Sequence, residues 1–211
     1  MYIFVRRGQL AGGQARASMM WATEITERVR QVTGLDVLLY GQFLSADVGE
    51  LGWSTMVPDM ATLETAFDKC LVDDFYIAEQ DRALTFMTGP PTDSLQQIVH
   101  GEAEGDAPPY ATSITTTCRP GMLERGLTNA VELAMRADEI AGTRTLVTLH
   151  ETGPFGTISW LSGHPGIESL DAAQSALRND SGWAAFVDER VRDVYAEDPM
   201  ISTQVIHRRI V

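Results

Sequence analysis

Two stretches of the chain carry the same helical face. Met19, Ala22, Ile25, Val29 and Val32 fall at a 3-3-4-3 spacing, and Leu127, Ala130, Leu133, Ala137 and Ile140 repeat it 108 positions later. That spacing makes one apolar stripe along a helix. Gly34 and Gly142 follow the two stripes, in the position where a left-handed glycine ends a helix. The flanking segments repeat as well. Tyr2 and Tyr110 each open an extended apolar run, and after each glycine come two strand-like runs, LDVLLYGQF then LGWSTMV, and TRTLVTLHE then FGTISWL. A second amphipathic segment follows in each half, through Leu63, Ala66, Phe67, Cys70, Leu71 and Phe75, and through Leu170, Ala173, Leu177, Phe186 and Val187. NDSGW at 179–183 interrupts the second copy. QIVH at 97–100 and QVIH at 204–207 close the two halves 107 positions apart.

Each half therefore predicts β-α-β-β-α-β, a ferredoxin-like unit. Residues 1–100 form the first repeat, the acidic and proline-ended GEAEGDAPP at 101–109 a linker, and 110–211 the second repeat. A four-stranded sheet with helices on one face leaves the other bare, and these strands carry apolar residues on both faces. Two such sheets are expected to bury one another in a single α+β barrel.

This order of elements resembles the dimeric α+β barrel superfamily, in a tandem form where one polypeptide supplies both halves. The resemblance spans nearly the whole chain and rests on element order and apolar pattern. It implies kinship with cofactor-independent antibiotic-biosynthesis monooxygenases, tetracenomycin-type polyketide cyclases, lactone isomerases, haem-dependent enzymes and modules without assigned role. Fold alone leaves that choice open. With one chain completing its own barrel, either a monomer or a homodimer is expected.

Charge and cysteine usage narrow the classes. A formal charge of −13 argues against a surface that collects nucleic-acid phosphates or anionic lipid. Cys70 and Cys118 sit apart among apolar residues and read as reduced core thiols of a cytoplasmic protein. No stretch has the length of a membrane span, and no secretory leader is expected.

Strand alternation predicts where chemistry sits. Leu35, Val37, Leu39 and Phe43 share one face, expected to pack on helices, while Asp36, Leu38, Tyr40 and Gln42 share the other. In the second repeat Val147 and Leu149 match the first face, and Arg144, Leu146, Thr148 and His150 the second. The mixed face is expected to line a cavity, with Asp36, Gln42 and Thr148 among its substrate contacts. His150 is the candidate acid or base, since imidazole titrates near neutrality. Arg144 and Tyr40 are candidates for holding a developing oxyanion. Structural roles compete with each: a strand-end histidine satisfied by a hydrogen bond, an ion pair at a strand start. His100 and His207 are substrate-contact candidates or relics of a shared scaffold. Trp53 and Trp160 are core, or platforms for an aromatic ligand. His164, in SGHPG, reads as a solvated turn residue, with ligation of a haem iron the lesser alternative, and Arg6 and Arg7 as a pair of which at least one lies at the surface. No metal-ligand spacing, P-loop, dinucleotide fingerprint or nucleophile elbow occurs.

The resulting expectation is a cyclase or isomerase without bound cofactor, moving protons on a hydrophobic aromatic or polyketide-like small molecule of secondary metabolism, such as antibiotic biosynthesis. A cofactor-free or haem-dependent monooxygenase of the same fold is the alternative, and a non-catalytic ligand-binding module the third.

Overall fold

The computed structural model describes residues 1–45, 48–103, 105–196 and 203–211. The first half runs β1 (Tyr2–Gln9), α1 (Ala15–Thr33), β2 (Leu38–Phe43), β3 (Glu50–Val57), α2 (Met60–Leu71), α3 (Asp74–Phe86) and β4 (Thr92–His100). The second runs β5 (Tyr110–Thr117), α4 (Leu123–Ala141), β6 (Thr145–His150), β7 (Thr157–His164), α5 (Ile167–Asn179), α6 (Trp183–Val191) and β8 (Thr203–Arg209). Gly34 and Gly142 end α1 and α4 in the left-handed conformation, at φ 77° and 65°. One expectation changes: the second helix of each repeat is two helices. In the first half Asp73 accepts a hydrogen bond from the Tyr76 amide and starts a new helix two residues after α2 ends. An N-terminal cap of this kind satisfies donors that a continuous helix would not leave free.

The strands follow the order β1-β3-β2-β8-β5-β7-β6-β4 in a closed antiparallel barrel. The chain divides into two compact units, Met1–Leu95 with Arg208–Val211, and Gln96–His207. β4 and β8 each begin in one unit and end in the other.

In unit 1, β1 pairs with β3 from Tyr2↔Val57 to Gln9↔Glu50, and β2 pairs with β3 from Leu38↔Ser54 to Gly41↔Leu51. The C-terminal residues close on β2, with the Ile210 amide donating to the Leu39 carbonyl at 2.7 Å. Trp21, Ile25, Leu39, Leu51 and Phe86 form the buried core between this sheet and its helices. Trp21 stacks on Phe86 with ring centroids 5.4 Å apart and meets Trp53 edge-on at 5.9 Å. The fully buried Leu39 alone stabilises by about 1.5–3 kcal/mol relative to exposure.

In unit 2, β5 pairs with β7 and β6 with β7. Ala130, Val147, Ile158, Val194 and Tyr195 make its core. Tyr195 Oη donates to the Gly126 carbonyl at 2.7 Å. A Cβ on Gly126 would lie 2.3 Å from Cys118 Sγ, so any larger residue there would force the thiol to move. Both cysteines are free and buried.

Candidate functional site

The register of unit 1 sorts its strand residues onto two faces, since partners across an antiparallel ladder share a side. Phe4↔Thr55, Arg6↔Trp53 and Gly8↔Leu51 lie on the side of Trp53, whose indole N–H donates to Thr26 Oγ1 of α1 at 2.9 Å. Val37 and Leu39 join them in the helix-facing layer, as the apolar pattern predicts. Arg7, Gly52 and Tyr40 form a row on the opposite face.

The helix-facing layer of unit 1 is not filled. A cavity of about 90 Å³ lies between the sheet and α1, α2 and α3. Trp21, Ile25 and Val29 come from α1, Leu63, Phe67 and Cys70 from α2, Tyr76 and Ala83 from α3, and Phe4, Arg6, Trp53 and Thr55 from the sheet. Such a volume holds several waters or part of one aromatic ring.

Thr33, Ser54 and Gln80 also line this space, and two further polar groups in it bear on ligand binding. Arg6 donates through Nε and one terminal nitrogen to the two Asp93 oxygens at 2.7 and 2.8 Å, and through the other terminal nitrogen to Tyr76 Oη at 3.1 Å. Its guanidinium also lies 5.8 Å from the Phe4 ring and 5.7 Å from the Phe67 ring. Hydrogen bonds to Asp93 hold the Arg6 proton more firmly than usual. Burial pushes the Tyr76 phenol up, against the opposing effect of Arg6, and pushes the Cys70 thiol up; all three keep their protons at neutral pH. The second polar group is Thr55 Oγ1, which is buried with no hydrogen-bond partner.

Unit 2 shows why Thr55 is left alone. Ile114↔Trp160 in β5 and β7 corresponds to Arg6↔Trp53, and Thr112↔Ser162 to Phe4↔Thr55. Ser162 Oγ is 2.9 Å from Thr145 Oγ1. Thr145 lies two residues before Val147, the partner of Trp160, and its counterpart two residues before Leu39 is Val37, which carries no hydroxyl. In unit 2, Tyr195 packs edge-on against Trp160 at 5.9 Å, and the Trp160 indole donates to the Ala130 carbonyl at 2.9 Å.

The other face of unit 2 carries the polar residues singled out in the sequence. His150 Nε2 is 2.8 Å from Ser159 Oγ, which is 2.7 Å from Thr115 Oγ1. Thr148 Oγ1 donates to Gln96 Oε1 at 2.9 Å, both groups buried. His207 Nε2 is 2.9 Å from Ser113 Oγ. His100 is not its equivalent: a register shift between Ile98 and His100 sets it opposite Val147, on the helix-facing side. Arg144 is exposed just before β6.

On the corresponding face of unit 1, Gln42 Nε2 donates to Glu50 Oε1 at 2.7 Å. Burial raises the Tyr40 phenol, partly offset by Arg209. Asp36 is exposed ahead of β2. His164 departs from its expected solvated turn: it ends β7 at 3% exposure with Nδ1 unpartnered, and burial lowers its pKa. Arg6 and Arg7 are both partly buried, and Asp93 is what makes that tolerable for Arg6.

Solved structures share this architecture. A candidate monooxygenase of Fusobacterium nucleatum superposes at TM-score 0.71 with 8% identity, covering 100% of this chain and 92% of that one. An anthrone oxidase-like protein superposes at 0.69 with 11% identity, over 100% and 91%. A candidate monooxygenase of Lactobacillus acidophilus gives 0.63 at 9% identity, over 99% and 93%. The chain has the ferredoxin-like α+β barrel fold. No protein-family model matches it, and a search of curated proteins finds no match. Among the described residues no helix is long and apolar enough to cross a membrane, and no group of three or more His, Cys, Asp or Glu side chains could hold a metal ion.

Of the residues anticipated from sequence, Trp53 lines the cavity. Arg6, Tyr76, Thr55 and Trp21 line it too, and the polarity of the opposite sheet face does not point to them. Their signal lies in helix-facing positions that differ between repeats, Arg6 against Ile114 and Val37 against Thr145. Haem does not fit the cavity's residues. No histidine is among the described residues lining it, and a space of about 90 Å³ is far smaller than a porphyrin.

Proposed function

We propose that the chain is an enzyme that admits the edge of a hydrophobic aromatic small molecule into the unit 1 cavity, the rest of the molecule lying outside it, and oxidises it with dioxygen, using no resident organic cofactor. The observation carrying this reading is an apolar space walled by Trp21 and Trp53 and supplied with protonated donors, Arg6 and Tyr76. Likeness to solved structures described as candidate monooxygenases and as anthrone oxidase-like supports oxygenation over ring closure. In such a reaction a methylene conjugated with a carbonyl across an aromatic ring system, as in an anthrone, loses a proton to water, and the resulting enolate oxygen is held by Arg6 and Tyr76. The enolate carbon adds to dioxygen and the peroxide takes up a proton, so that a hydroperoxide forms. Loss of water from the hydroperoxide leaves a ketone. The methylene gives up both its hydrogens, one oxygen atom stays in the ketone and the other leaves in water, so no external reductant is consumed.

Oxygen uptake by the purified protein with an anthrone tests this. One dioxygen consumed per product, with one atom of isotope-labelled dioxygen retained in the ketone, is expected. Arg6→Gln should slow turnover by about 10²-fold or more, the cost of one oxyanion donor. Product formed equally well without oxygen would reject oxygenation. It would support the second reading, a cyclase or isomerase, for which the His150–Ser159–Thr115 chain in unit 2 is the favouring observation. In that case His150→Ala should abolish turnover.

A further inference from the structure

The polar end of the cavity has an unusual charge balance. Among the described residues, Arg6 is the one ionised side chain lining it at neutral pH. Both Asp93 oxygens already bond to Arg6, Tyr76 Oη takes a third N–H, and the Phe4 and Phe67 rings lie close to the guanidinium. The pair is therefore neutral as it stands. A guanidinium has five N–H donors, so two remain to strengthen towards charge that develops during reaction. An anion entering the cavity would lose its hydration against Trp21, Trp53 and Phe4 and would meet a cation already matched by a carboxylate. An uncharged ligand would suffer neither cost.

A second polar anchor stands on the same face. Thr55 is two residues from Trp53, the cross-strand partner of Arg6, and such diagonal neighbours lie about 7–8 Å apart between Cα atoms. Thr55 is 4% exposed, and its Oγ1 has no partner among the described residues. A ligand hydroxyl or carbonyl would satisfy it.

Resting on the reading of this cavity as the substrate site, we infer that it selects aromatic phenols or enols in their uncharged, protonated form and rejects carboxylate-bearing analogues. Asp93 is then a specificity-determining residue, acting by neutralising Arg6 before the substrate arrives. Charge appears only in the reacting species, where the two remaining Arg6 N–H groups gain most.

The test compares 4-bromophenol with 4-bromobenzoate at pH 7, by equilibrium dialysis and by bromine quenching of tryptophan fluorescence. The native protein should bind the phenol at least about tenfold more tightly, a difference of about 1.4 kcal/mol. Asp93→Asn, which leaves Arg6 unmatched, should improve benzoate binding by about tenfold while changing phenol binding less than about threefold. Unchanged benzoate binding in that variant would overturn the role given to Asp93. If Asp93→Asn fails to fold, the double variant R6M/D93L removes both charges and should still prefer the phenol; equal binding of the two compounds by it would overturn the selection. Benzoate binding to the native protein as tightly as the phenol would overturn the selection while leaving the cavity as a ligand site. Binding of neither compound would overturn the cavity reading itself, and the selection with it.

Discussion

Replacing Thr55 by valine should stabilise the protein. The hydroxyl becomes a methyl of nearly the same shape, at a position 4% exposed whose oxygen has no partner. An unsatisfied buried donor and acceptor costs about 1–3 kcal/mol, and the added methyl contributes burial of about 0.8 kcal/mol more. A net gain of about 2 kcal/mol raises the melting temperature of a domain this size by about 4–8 °C. The control is Thr145→Val in unit 2, where Oγ1 bonds Asp138 at 2.7 Å and Ser162 at 2.9 Å. That change should cost about 1–3 kcal/mol, because both partners lose a bond in a part-buried setting. Urea unfolding followed by tryptophan fluorescence measures both variants, and the slopes should stay unchanged if only stability has moved. Thr55→Val melting below the native protein would refute the reasoning, as it would mean the hydroxyl is satisfied in solution. Where Thr55→Val does stabilise, saturating 4-bromophenol should erase most of that advantage, since the ligand supplies the missing partner.

Further outcomes follow from single contacts. Gly126→Ala should destabilise by about 1–3 kcal/mol, since its Cβ would meet Cys118 Sγ at 2.3 Å; thermal melting checks it. Tyr195→Phe should cost about 0.5–1.5 kcal/mol by removing the buried hydrogen bond from Oη to the Gly126 carbonyl, measured by urea midpoint. His164 gives a pH signature. Burial lowers its folded pKa below the ordinary value of about 6.5, so below that pH the unfolded chain binds the proton more readily, and stability should fall as pH drops from about 7.5 to about 5.5. His164→Gln should flatten that slope; an unchanged slope would show that other groups carry it.

Much of the fold is readable because duplication writes it twice. The apolar stripe from Met19 to Val32 and its copy from Leu127 to Ile140 mark α1 and α4, and the two capping glycines mark their ends. The break between α2 and α3 is hidden by a continuous apolar face, although Asp73 ahead of Asp74 and Tyr76 is an N-cap signal of the ordinary kind. The inequivalence of His100 and His207 is not legible in pattern. It depends on a register shift between Ile98 and His100, and a bulge leaves a two-residue alternation intact on either side. The cavity is illegible for a different reason. Helix-facing positions read as packing, which is correct for Leu39 and Leu51, but packing completeness depends on volumes that a polarity pattern does not record.

Divergence between the units explains why polar groups are left unspent beside Trp53 and not beside Trp160. In unit 2, Ile114 takes the place of Arg6, the Thr145–Ser162 pair satisfies both hydroxyls, and Tyr195 packs on Trp160 with its own hydroxyl committed to Gly126. Each of those changes removes a reason for a ligand to bind. In unit 1 the reverse substitutions introduce a cation that must be neutralised and a hydroxyl that cannot be satisfied from within. A duplicated unit selected only for stability would be expected to lose such groups, because neutral or paired replacements at both places are available and its own sister repeat uses them. Their presence in one copy alone is what a binding function would maintain against the cost of about 1–3 kcal/mol that the orphan hydroxyl imposes.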